Sequence, residues 1–180
     1  DHGMERIKTS VHLNTYLADN DYLIWGDRPD QKYNNIKAGT TAFALDPARI
    51  YLNKEDIYPR GSVARDEEAA AIEELTDLFY QLEKDGEKII KKVYTKEDLY
   101  HGDHTDQAPD MVLLPHSGFS LSGSMRQRPL FATDDTIVGM HTQDDAFLYV
   151  KGRQNSQILP SHPHVEDITS ILHHLQGESL

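Results

Sequence analysis

The chain has 180 residues, a formal net charge of −12, 38% hydrophobic and 27% charged residues, and no cysteine. A chain of this length buries roughly 70% of the surface that it exposes when unfolded, so a cored domain is expected and wholesale disorder is excluded. The negative charge and the dispersed Lys and Arg residues disfavour a nucleic-acid-binding module, and without thiolates any metal must be held by His and carboxylate.

Taken in chain order, Thr9 or Ser10 can cap a helix whose apolar residues Val11, Leu13, Tyr16 and Leu17 recur at helical spacing to about Ala18. Thr40 to Leu45 and Arg49 to Asn53, separated by Asp46-Pro47-Ala48, predict a hairpin. Asp66 to Lys84 is the strongest helix signal. It carries Ala69, Ile72, Leu75, Leu78, Phe79 and Leu82 on one face, has acidic residues at its N-terminal dipole, and is ended by Asp85-Gly86. Lys88 to Tyr94 follows as a strand and Lys96 to Tyr100 as a short helical turn.

The apolar run Met111-Val112-Leu113-Leu114 predicts a strand buried on both faces of a parallel sheet. Ser117 to Ser124 reads as loop and Ala146 to Val150 as a strand. Val165 to Leu175 reads as a last amphipathic helix that packs on the sheet, with His164 or Ser161 near its start. This alternation implies an α/β architecture, a mainly parallel sheet flanked by helices, in a single domain over residues 1–180. No apolar run reaches the roughly 18 residues of a membrane span and no signal-peptide pattern is present, so a cytoplasmic protein without membrane contact is expected.

Chemistry-bearing residues are few. Asp1 and His2, together with His141 in Gly139-Met140-His141-Thr142, combine carboxylate oxygen with imidazole nitrogen, a donor set suited to zinc or manganese. The spacing alone is equally met by a terminal His2 and a hydrogen-bonded loop His141. His116 follows the C-terminal end of the predicted central strand, where ligands bind in open α/β sheets, and is a candidate substrate contact or an ordinary loop histidine. His101, His104, His162, His164, His173 and His174 read as surface or structural residues. Neither a phosphate-loop spacing nor a Gly-x-Ser-x-Gly elbow is present.

Five segments in order resemble the alkaline phosphatase superfamily, most of all its type I phosphodiesterase/nucleotide pyrophosphatase branch. Asp1-His2-Gly3-Met4 is similar to that family's second metal-binding motif, and Val11-His12-Leu13-Asn14-Thr15-Tyr16-Leu17 to the segment after it. Thr41 to Leu45 through Arg49 to Asn53, then Pro59-Arg60-Gly61, resembles its hairpin before a Glu-rich helix. Lys91-Lys92-Val93-Tyr94 to Tyr100, then Ala108-Pro109-Asp110-Met111-Val112, resembles a further passage, and Gly139-Met140-His141 stands where the family has its last metal-ligating histidine.

The resemblance implies an alkaline-phosphatase-like fold with a cap-like hairpin and helix region over about 25–109. It implies two divalent metal ions, zinc before manganese, with Asp1 and His2 on one and His141 on the other, and a nucleophilic Ser or Thr upstream. The chain would then be the C-terminal portion of a phosphoric ester hydrolase acting on a small phosphate ester such as a nucleotide, its other partner being the missing N-terminal half. Cofactor-independent phosphoglycerate mutase chemistry and a non-catalytic interaction module are the alternatives. Two departures stand out: Thr142-Gln143-Asp144-Asp145 replaces the usual continuation past the last histidine, and Asp167-Ile168-Thr169 lacks a proline that the family shows.

Overall fold

The computed structural model describes residues 2–27, 32–133, 137–143, 145–150 and 160–176. They fall into two compact units, Arg6–Val138 and the combination of Asp1–Glu5 with Gly139–Leu180. Residues 25–109 lie wholly in the larger unit.

The larger unit holds two main sheets and a small ribbon. Strand β2 (Thr9–His12) lies between β9 (Phe119–Ser122) and β10 (Phe131–Ala132), parallel to the first and antiparallel to the second. Strands β3 (Ala42–Asp46), β4 (Arg49–Leu52), β8 (Met111–Pro115) and β7 (Ile90–Thr95) form a four-stranded sheet in that order. Every pairing in this second sheet is antiparallel. The fold is therefore α/β, but its sheets are mostly antiparallel and not mainly parallel as the sequence suggested. β8 is central, as expected, yet only Met111 and Leu113 are buried while Val112 and Leu114 are half-buried. An apolar run of four cannot by itself distinguish the two-sided burial of a parallel strand from this weaker alternation.

Three further expectations change. Thr9 and Ser10 do not cap a helix. They belong to β2, because Thr9, Ser10 and Val11 take the register of Phe119, Ser120 and Leu121, and helix α1 (Leu13–Asp19) starts only after His12. Ser117 to Ser124 is not all loop, since β9 lies within it. Helix α2 (Glu68–Gln81) is shorter than predicted, because Glu83–Lys84 (β5) turns back on Glu87–Lys88 (β6) through Asp85-Gly86. Both turn residues have positive φ, 53° and 81°, which suits a tight hairpin of the right-handed twist.

Other elements match. The β3–β4 hairpin turns at Pro47-Ala48, and helix α3 (Lys96–Leu99) starts at Thr95, whose backbone N–H donates to the Asp98 carboxylate at 2.8 Å. On α2, Leu75 and Phe79 are fully buried, Ile72 and Leu78 pack against the core, and Ala71 replaces the exposed Ala69 on the inner face. The Phe43 ring meets Tyr33 and Tyr58 edge-on, with centroids 5.1 Å apart, while the two tyrosines lie tilted at 5.4 Å, so this aromatic cluster packs at the core.

Two buried polar side chains tie the elements. Asn14, fully buried on α1, donates to Ala44 O (2.7 Å) and Ser124 O (3.0 Å) and accepts from Ala44 N (2.7 Å). Asp110, at the mouth of β8, accepts from Leu52 N (2.8 Å), Lys54 Nζ (2.8 Å) and Lys96 Nζ (3.0 Å), and Lys54 reaches Glu68 at 2.8 Å. Burial of Lys54 opposes its charge, but hydrogen bonds to Asp110 and Glu68 outweigh this and raise its pKa.

The smaller unit pairs β1 (Gly3–Arg6) with β11 (Gly139–Thr142) and ends in α4 (Ile168–Gln176), preceded by a 3-10 turn at Val165–Asp167. His164 N donates to Asp167 Oδ2 at 2.8 Å at this start. Residues 146–150 form no strand, contrary to expectation: Phe147 and Tyr149 are exposed, so their alternation with half-buried Val150 finds no pairing partner. Of the predicted helical face, Ile171 is buried while Val165, Ile168 and Leu172 are exposed. No helix among the described residues is long and apolar enough to cross a membrane.

Replacing Asn14 by Ala strands a buried N–H and two buried carbonyls, so Asn14→Ala should cost about 2–4 kcal/mol. The expected reading is a lower urea midpoint at unchanged slope, and an unchanged midpoint would contradict the bridging role. A second expectation concerns alkaline pH. Burial pushes up the phenols of Tyr16, Tyr33 and Tyr58, so above about pH 10 the unfolded chain loses protons that the folded chain keeps, and stability falls as pH rises. The raised Lys54 acts in the same direction: its contribution is full below the ordinary lysine value and is lost as pH climbs through the folded one. Phenolate absorbance of the native chain should titrate at higher pH than that of the urea-unfolded chain; coincident curves would refute this.

Candidate metal centre

β1 and β11 are neighbours in one small sheet, and that pairing brings the two ends of the matched sequence together. His2, just before β1, and His141, within β11, stack face to face with ring centroids 3.6 Å apart and planes 7° from parallel. Half-buried His2 has its Nδ1 3.0 Å from Gly3 O. A carbonyl can only accept, so Nδ1 carries the proton of this hydrogen bond. His141 is exposed.

Gly3 is buried against Thr142 and Asp145. A Cβ on Gly3 would collide with Asp145 Cβ and Thr142 Oγ1, so no side chain can be placed there without moving the segment that carries His141. The Thr142 hydroxyl is itself buried without a hydrogen-bond partner among the described residues, which leaves a polar atom uncompensated beside the histidine pair.

Imidazole nitrogens are the right donors for zinc, but no group of three or more His, Asp or Glu side chains able to hold an ion occurs among the described residues. Asp1, the carboxylate expected beside His2, lies outside them. The donor set fits in kind and is incomplete in number among the described residues.

The other sequence candidates lie apart. His116 is exposed just past the end of β8, where its backbone N–H donates to Ile89 O at 2.8 Å. His101 and His104 are exposed, as expected of surface residues. Sequence reasoning missed His12, which is buried with its Nδ1 donating to Pro129 O at 2.8 Å. The signal that could have found it is the alternation Thr9-Ser10-Val11-His12, which has the period of a strand.

A model of the type I phosphodiesterase/nucleotide pyrophosphatase family matches residues 1–144. The chain belongs to that family. No curated protein and no solved structure gave a match.

Gly3→Ala should push Thr142 and Asp145 away from β1 and unstack the imidazoles. In proton NMR the His2 and His141 ring signals, displaced by mutual ring currents, should then move toward their free positions. Unmoved signals would sink this account of Gly3.

Proposed function

We propose that the chain is the C-terminal portion of a metal-dependent phosphoric ester hydrolase, contributing Asp1, His2 and His141 to a dinuclear centre whose nucleophile and remaining ligands come from preceding residues. The observation that carries this reading is the face-to-face approach of His2 and His141, two residues at opposite ends of the family match. Zinc is the favoured metal and manganese the second choice, given nitrogen and carboxylate donors. Two such ions, when bound, supply positive charge to the phosphoryl oxygens of an in-line displacement.

The chain's own residues have defined tasks in this reading. The Gly3 carbonyl orients the His2 ring through Nδ1, and the missing Cβ of Gly3 lets Thr142 and Asp145 lie close to β1. A chain of net charge −12 repels an anionic ester at long range, so the local positive charge must come from the centre itself. The substrate is a small phosphate ester, a nucleotide being one such molecule, and neither nucleic acid nor membrane is a partner. Residues 25–109 form a cap-like part of one domain that includes the preceding half, His116 contacts substrate, and the protein works in the cytoplasm.

Alone, the 180 residues should be catalytically silent and bind zinc no tighter than micromolar by calorimetry, with loss of binding in His2→Ala and His141→Ala. The natural gene product should have about twice the mass, within the usual domain range, and hydrolyse a p-nitrophenyl phosphodiester in the presence of zinc. His141→Ala in that product should lower kcat by about 100-fold or more. A gene product near 20.5 kDa would overturn the reading in favour of a non-catalytic interaction module, as would nanomolar zinc affinity surviving both substitutions.

A further inference from the structure

The larger unit contains a cavity of about 710 Å³ above the three-stranded sheet, within the size range of small-molecule sites. Its floor follows from strand register. Ser10 pairs with Ser120 and His12 with Ser122, so all four share one face of β2 and β9. Val11 and Phe119 point to the opposite face and into the core. Serine on three of four positions is poor material for packing a second layer, because its short side chain fills little space and brings a hydroxyl that needs a partner. The same shortness leaves the hollow open.

The chemistry around this floor is selective. Hydroxyls both donate and accept, and the buried His12, whose Nδ1 proton is engaged by Pro129 O, offers Nε2 as an acceptor. Arg128 is the charged residue among those that line the cavity, and its carbonyl accepts from the Thr15 hydroxyl of α1 at 2.8 Å.

We propose that this cavity binds a small hydroxylated anion of the sugar phosphate class, with Arg128 taking the phosphate and Ser10, Ser120, Ser122 and His12 taking the sugar hydroxyls. A planar guanidinium matches phosphate geometry in two parallel hydrogen bonds, and the serine rows match the alternating donors and acceptors of a polyol. No residue of the His2 and His141 pair lines the cavity, so the site stands independently of the metal centre and its test runs with that centre stripped.

The test is a titration of the 180-residue chain in EDTA with ribose 5-phosphate, followed by amide NMR, with ribose and inorganic phosphate as separate arms. Saturable shifts are expected at Ser10, Ser120 and Ser122, with ribose 5-phosphate at least about tenfold tighter than either part alone. Arg128→Gln should weaken it about tenfold while leaving the melting temperature unchanged, since Arg128 is exposed. Ser120→Ala with Ser122→Ala should weaken ribose and ribose 5-phosphate alike. If that double variant melts early, the exposed Arg128→Gln decides alone. No saturable shift below ~10 mM, shifts centred elsewhere, inorganic phosphate binding as tightly as the sugar phosphate, or indifference to Arg128→Gln would each overturn the assignment.

Discussion

The carboxamide of Asn14 holds the larger unit together. Asn14 is joined by chain to β2, and so to the three-stranded sheet, while both its oxygen and its nitrogen bond to the backbone of Ala44 in the four-stranded sheet. A second bond to Ser124 O fixes the exit from β9. In a fully buried setting each of these backbone groups would otherwise lack a partner, so the relative placement of the two sheets follows from satisfying them. The cavity above β2 and β9 depends on the same placement, because Pro47 of the β3–β4 turn forms part of its wall.

Asp110 plays a comparable part at the other end of the four-stranded sheet. It gathers the Leu52 N–H and the Lys54 and Lys96 ammonium groups, while Glu68 at the head of α2 takes the second contact of Lys54. Buried charges are tolerated here because each is paired and hydrogen-bonded, and removal of any one would leave another uncompensated. β4, β8, α2 and α3 thus start or stop at defined points, and the middle of the chain, from the hairpin to β8, becomes one fixed body.

The local parts of this architecture were legible in the residues. Pro47-Ala48 marked a hairpin turn, the spacing of Leu75 and Phe79 marked a helix face, and Thr95 with Asp98 marked a helix start, since each depends on neighbours within a few positions. Phe119-Ser120-Leu121-Ser122 reads as loop because the stretch from Ser117 to Ser124 holds two glycines and four serines; the parallel partner β2 makes that segment a strand. The parallel character assigned to Met111–Leu114 failed for a similar reason. Direction belongs to the neighbours, and β4 and β7, which flank β8, both run antiparallel to it.

For the candidate metal centre, the sequence by itself limited which side chains could serve as donors. With no cysteine, histidine and carboxylate were the available ligands, and the order of motifs marked Asp1, His2 and His141 as members of one family pattern. Composition also settled the polar, acidic character and the absence of a basic stripe. The tertiary structure alone decided that His2 and His141 face each other, that Gly3 must lack a side chain for this to happen, and that Ser10, His12, Ser120 and Ser122 form one polar floor. These are contacts between residues more than a hundred positions apart, set by strand pairing and register, and no local pattern of side chains encodes which strand a segment will pair with.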